Sequence, residues 1–155
     1  MAAFKRDQID AAMMFEPTGT FLKQANLGTT LVDLIRGEEP MFSDVLFLTL
    51  TTHPDTIKEK PETLRKLTAV YDEALNILHN DKARGKALMA KEFPGLTPET
   101  NESTYDAMEA TWAKDGRMDV GQAKRTMAYM SSLGGLNLPD DFDPSPYFSN
   151  DLMAK

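Results

Sequence analysis

Apolar residues recur three and four positions apart along PETLRKLTAVYDEALNIL, which places Leu64, Leu67, Tyr71, Ala74, Leu75 and Leu78 on one stripe of a long helix over 61–79. Immediately upstream the period changes. Residues 45–52, VLFLTLTT, form an uncharged run rich in β-branched and aromatic side chains. Such a run predicts a strand buried on both faces, as in parallel or mixed sheets covered by helices. A buried strand followed by a helix that packs back on it is a strand–helix unit, so the pattern predicts an α/β fold.

The flanks extend this reading. Residues 2–8 read as the end of a helix cut short. IDAAMMF predicts a short strand over 9–15, and Pro17 suits the first turn of a helix carrying Phe21, Leu22 and Ala25 inward. Asn26 and Gly28 are placed to end that helix. TTLVDLI predicts a second short strand over 29–35. Residues 38–44 form a polar connector, a hinge or crossover. Beyond Asn80 the pattern is helix and loop. Asp81 is placed to cap a helix through Glu92 with Ala83, Ala87, Leu88 and Phe93 inward. Thr97-Pro98 starts another, with Tyr105, Met108 and Trp112 on one face. Asp119 caps a last one, with Val120, Ala123, Met127, Met130 and Leu133 inward. The tail is irregular until a turn at 149–153. This predicts three regions: a strand–helix–strand piece over 1–38, a hinge over 39–44, and a returning strand with its helices over 45–155.

Charge and composition narrow the function classes. The 155 residues carry a net charge of −7 and hold no Lys/Arg cluster, which argues against nucleic acid as a partner. There are no cysteines, so thiol catalysis, disulfides and cysteine-based zinc sites are excluded. His53 and His79 lack metal-ligand spacing, and no cofactor or metal is expected. No apolar run is long enough for a membrane span, which needs about 20 residues, and FKRDQID interrupts the place of a signal-peptide core. No nucleophile elbow and no phosphate-binding loop is present. The ten methionines, Tyr105 and Trp112 fall at helical spacing and read as core.

Four stretches carry a resemblance. QIDAAMMFEP is similar to a strand of the form G-x-(I/V)-D-A leading into a Glu/Pro turn. LFLTLTTHPDTIKEKPETLRKLTAVYDEAL is similar to a returning strand, a Pro-Glu turn and the long helix after it. EFPGLTPET is similar to the loop before two late helices, and DPSPYFSNDLM to a closing segment with a Tyr and an Asn. In that order they resemble the second half of a solute-binding protein from the class that includes sulfonate, taurine, nitrate and thiamine-precursor binders of ABC importers. Gly121 departs from the pattern, standing where a larger residue is usual early in the late helix.

The resemblance implies an α/β chain, the helix-rich part of a two-lobed periplasmic-binding-protein-like (type II) fold with its N-terminal half absent. It implies capture of a small-molecule solute, delivery to an ABC permease, an extracytoplasmic location and no enzymatic activity. Ligand-binding residues would be Met14, Glu16, Thr18 and Thr20 in the turn after the first strand. Thr18 to Thr20 lie at a helix start, where free N–H groups favour an anion; the alternative is a plain turn with surface threonines. Met41 and Phe42, beside Asp44, would line the cleft floor or pack the hinge. Two other readings stand beside this one. One is a protein similar to the pyrimidine-precursor synthases of thiamine biosynthesis, and the other is an interaction module without a small ligand. Leaving a strand of this kind and the Leu/Tyr stripe uncovered would forfeit on the order of 10 kcal/mol. The chain is therefore expected to self-associate or to bind a complementing N-terminal half.

Overall fold

Helix starts in this chain are written in cap residues. The computed structural model describes residues 1–139 and 141–153. Within them run α1 (Ala2–Lys5), α2 (Thr18–Gln24), α3 (Pro54–Glu59), α4 (Pro61–Asn80), α5 (Lys82–Glu92), α6 (Pro98–Met108) and α7 (Val120–Ser132). His53 Nδ1 accepts from the Asp55 N–H at 3.3 Å to start α3. The Asp81 carboxylate accepts from Arg84 at 3.1 Å and Thr97 Oγ1 from Thr100 at 3.1 Å, which start α5 and α6. Asp119 and Gln122 form a reciprocal capping box on α7, at 2.9 and 3.4 Å. Pro54, Pro61 and Pro98 each stand at a first helical position, where the missing N–H costs nothing. Gly121 has its reason here. A Cβ at that position would lie 2.9 Å from the capping Asp119 Oδ1 and 3.3 Å from Arg125 Nη1.

The strand expectations are corrected. The described residues are 53% helical and contain no strand. Residues 9–15, 29–35 and 45–52 are irregular. Their side chains have strand propensity, but a strand exists only through ladder bonds to a neighbour, and none of the three segments pairs with another. Residues 45–52 are also not buried on two faces. Phe47 is 67% exposed and Leu48 90% exposed. The helix-rich part of the fold class stands; the sheet does not. The tail expectation covered Asp140, Ala154 and Lys155, which lie outside the described residues.

The chain divides into two compact units. The first holds Met1–Glu38 and Ile77–Trp112. Here α6 packs against both α2 and α5. Tyr105, fully buried on α6, is the largest interior side chain. Its ring meets Trp112 edge-on with centroids 4.8 Å apart, and its hydroxyl donates to the Leu78 carbonyl at 2.6 Å. It lies against Gly85, so α5 turns inward its glycine face rather than Ala83, Ala87, Leu88 and Phe93, which are exposed. The α2–α6 contact is polar. Thr20, Thr100, Asn101 and Thr104 are buried there with Leu22, and the Thr100 hydroxyl donates to Gln24 Oε1 at 2.8 Å. Asn26, at φ 51°, takes the left-handed position after α2, and the Leu27 N–H closes back on Leu22 O at 3.0 Å.

Outside that core, Lys86 bridges Glu102 and Asp106 at 3.0 and 2.9 Å, and Lys82 reaches Glu109 at 2.7 Å. The bond to Asp106 holds the Lys86 ammonium above its ordinary 10.5, and the bond to Glu109 does the same for Lys82. Burial pushes the Tyr105 phenol above its ordinary 10.0. All three folded values are raised, so their contribution to stability is complete below the unfolded values and is lost as pH rises through the folded ones. The melting temperature should therefore fall above about pH 10. Circular dichroism melts through the alkaline range test this, and the fall should be shallower in Tyr105→Phe.

The second unit holds Glu39–Asn76 and Ala113–Lys155, of which Asp140, Ala154 and Lys155 are not described. Its interior is Leu64 on α4, Ala123 on α7 and Pro144. The tail is tied down by polar bonds. The Asn150 amide exchanges two hydrogen bonds with the Met118 backbone, at 3.1 and 2.8 Å, and Thr68 Oγ1 donates to Leu152 O at 2.6 Å. Ser145 donates twice to Asp143, which holds that carboxyl below its ordinary range. On α4, Leu64 is covered, whereas Leu67 and Tyr71 of the apolar stripe are exposed, as is Val70 beside it.

Large apolar side chains stay exposed in both units, among them Leu31 at 80% in the first and Leu48 and Val70 in the second.

Candidate functional site

Four of the six expected ligand-binding residues lie in the first unit. Met14, Glu16 and Thr18 are half-buried and Thr20 is buried. The Glu16–Pro17 peptide is cis, and Thr18 opens α2. Glu16 turns back on that helix start. Its Oε2 accepts from the Thr20 N–H at 3.0 Å, and its Oε1 lies 3.0 Å from where a Cβ on Gly19 would stand. The expectation of free N–H groups for an anion is therefore corrected for Thr20: the chain's own carboxylate holds that donor.

Met41 and Phe42 belong to the second unit, in the 3₁₀ turn Pro40–Phe42. Met41 is exposed, and its N–H is held by Glu39 Oε1 at 3.2 Å. Phe42 packs on Tyr129 of α7, with ring centroids 5.0 Å apart and planes inclined by 57°. Next to it Asp44, at φ 56°, accepts from Gln122 Nε2 at 2.7 Å and pairs with Arg125. Two residues on, the Leu46 N–H donates to Thr126 Oγ1 at 2.9 Å. Residues 42–46 are thus strapped along one side of α7 by a ring contact, an ion pair and a backbone bond. The structure brings Glu16, Thr18 and Thr20 together at the start of α2, and it places Met41 and Phe42 in the other unit.

Sequence reasoning missed a groove. It lies in the second unit among residues 46–49, α7 and the tail, with a volume of about 230 Å³. Leu46, Met118, Ala123, Met127 and Phe148 give it an apolar lining, and Thr49 and Thr126 supply hydroxyls. The alternation of Ala123, Thr126 and Met127 along α7 was the available signal, since small and flexible side chains on one helix face leave room beside it. Neither the groove nor the α2 start gathers a nucleophile with a base. His53 caps α3, and the His79 ring meets Trp112 edge-on at 6.2 Å. No group of His, Asp and Glu able to hold a metal ion occurs among the described residues, and none of their helices is long and apolar enough to cross a membrane.

Compared with protein-family models, with curated proteins and with solved structures, the chain has no match.

Proposed function

We propose that the chain is the helical layer of a periplasmic-binding-protein-like α/β lobe, and that it serves the capture of a small solute for an ABC-type importer. One observation carries this reading. Three segments with strand chemistry, 9–15, 29–35 and 45–52, stand irregular and in large part exposed, while helices form around them. Helices α4 and α7 each keep apolar residues in solvent, as elements do when the sheet they would cover is supplied from elsewhere. The order of the four resembling stretches gives the lobe its class. In this reading residues 45–52 become a strand when other strands are present to pair with them. The solute meets the turn after 9–15, where Glu16 yields the Thr20 N–H to an anionic ligand group.

The test is a thermal shift with three probes: taurine, nitrate and an aminopyrimidine. A ligand present at about a hundred times its Kd stabilises the state it binds by about 2.7 kcal/mol. For a chain of this size that raises the melting temperature by about 5–10 °C. A saturable rise with one probe is expected. A melting temperature unmoved by all three at millimolar concentration would overturn the solute reading.

The exposed apolar residues favour a second reading, an interaction module that takes no small ligand. It predicts no thermal shift and a stable complex through residues 45–52.

A further inference from the structure

We infer that α2 is a latch: it lets go of α6 as one piece while α5 and α6 stay folded, and its release bares a row of hydrogen-bonding side chains on α6. The inference stands on the first unit alone and holds whether or not the Glu16–Thr20 turn meets a solute.

Little apolar surface holds α2 down. Its buried residues are Thr20 and Leu22, and Phe21 is half-buried. The Thr100 hydroxyl adds a hydrogen bond to Gln24, which is itself exposed. Seven residues are also too few for the helix to persist by itself, since lone helices shorter than about 12 residues are marginal in water. Once released, α2 therefore melts, and the backbone freedom it regains favours release.

Against this small gain stands a cost that exists while α2 is docked. Thr104 Oγ1 and Asn101 Oδ1 are buried and have no hydrogen-bond partner among the described residues. Thr104 follows Thr100 by one helical turn, so it lies on the stripe that meets α2, and Asn101 lies beside that stripe. Covering one such group costs about as much as burying a leucine side chain gains. Two groups thus stand against one leucine. When α2 leaves, water reaches both of them and the cost disappears. Docked and released forms therefore lie close in free energy.

The chain on either side permits the motion. Residues 9–13 and 28–32 are irregular and exposed. Asn26 takes the left-handed position, and a Cβ on Gly28 would meet nothing within 4 Å among the described residues. These positions can turn without uncovering buried side chains. Behind α2 the unit is pinned. Tyr105 is fully buried against Gly85 of α5, and Lys86 bridges to Glu102 and Asp106. Local opening follows such differences in buried contact.

The experiment is native-state hydrogen exchange on the purified chain, followed residue by residue by NMR across low urea concentrations. The hydrogen-bonded amides of α2 should share one opening constant with little urea dependence. They should exchange at least about a hundredfold faster than amides in the middle of α5 and α6. Simple fraying would give a gradient from one end instead. Thr104→Val, a change on α6, should slow α2 exchange by about tenfold, because it removes an orphaned hydroxyl that docking covers. Leu22→Ala should speed it by on the order of thirtyfold and leave α5 and α6 protected. Exchange of α2 at the rate of α5 and α6 with the same urea dependence, a gradient along α2, a Thr104→Val chain in which α2 exchanges no more slowly, or loss of protection throughout α5 and α6 in Leu22→Ala would overturn the inference. All of these are read without any solute, so the thermal-shift test of solute binding is decided separately.

Discussion

Gly85→Ala is expected to destabilise the chain, although alanine is the better helix former. In an open helix the exchange gains about 1 kcal/mol. Here the added Cβ would stand 2.6 Å from Tyr105 Oη and 2.8 Å from its Cε2. The ring has no room to retreat. It is fully buried, its hydroxyl is bonded to Leu78 O, and Trp112 closes on its edge. Overpacking of a rigid site costs about 1–3 kcal/mol, so after the propensity gain the net loss centres on about 1 kcal/mol. Tyr105→Ala, which empties the site, should cost about 3–5 kcal/mol. The two changes are coupled, because each acts on the same space. In the Tyr105→Ala background, Gly85→Ala should become stabilising. Urea melts of the four proteins read this sign reversal directly. A Gly85→Ala loss of equal size in both backgrounds would mean that the glycine is needed for some reason other than Tyr105.

Thr104→Val is the second large effect, and it is expected to stabilise. Thr104 is 1% exposed and its Oγ1 has no hydrogen-bond partner among the described residues. A buried hydroxyl left without a partner costs about 1–3 kcal/mol. Valine keeps the shape and the branching while removing that cost, so a gain of about 1–2 kcal/mol should appear as a higher urea midpoint with unchanged slope. Asn101 Oδ1, one turn earlier on the same face, also has no partner among the described residues. Its amide cannot be replaced by an apolar group of equal shape so simply, which makes Thr104 the cleaner test. A loss of stability in Thr104→Val would show that the hydroxyl is bonded in solution.

The helices were legible because their signals are local. Asp81, Thr97-Pro98 and Asp119 each carry cap chemistry within four residues of the donors they satisfy, and each starts a helix. Residues 45–52 show the opposite case. Their composition reads as strand, but pairing is decided by another segment, and none among the described residues supplies it. The α4 stripe was misread for the same reason. Periodicity shows which residues share a face and not what covers it, so Tyr71 reads as core and is half exposed.

The α2 start was legible as a turn but not as an occupied one. Whether Glu16 points outward or back along its own helix depends on side-chain torsions that sequence does not encode. The packing of Tyr105 on Gly85 was also out of reach, because it joins two helices through a position chosen for having no side chain. A faint signal existed on α6. Thr97, Thr100, Asn101 and Thr104 recur at helical spacing without charge, opposite Glu99, Glu102 and Asp106, which marks a face that is polar yet can be buried.

Asp44 answers two demands at one position. Its backbone is in the left-handed region, which tolerates Asn, Asp and Gly and penalises other side chains. Its carboxylate receives both Gln122 and Arg125. Glycine meets the first demand and forfeits the second; glutamate reverses the failure; asparagine keeps the turn and one neutral bond and leaves the guanidinium to solvent. Asp44 and Arg125 are each about half exposed, so their pairing adds at most about 1 kcal/mol, and it is the left-handed backbone that narrows position 44 in mutational space to Asn, Asp and Gly.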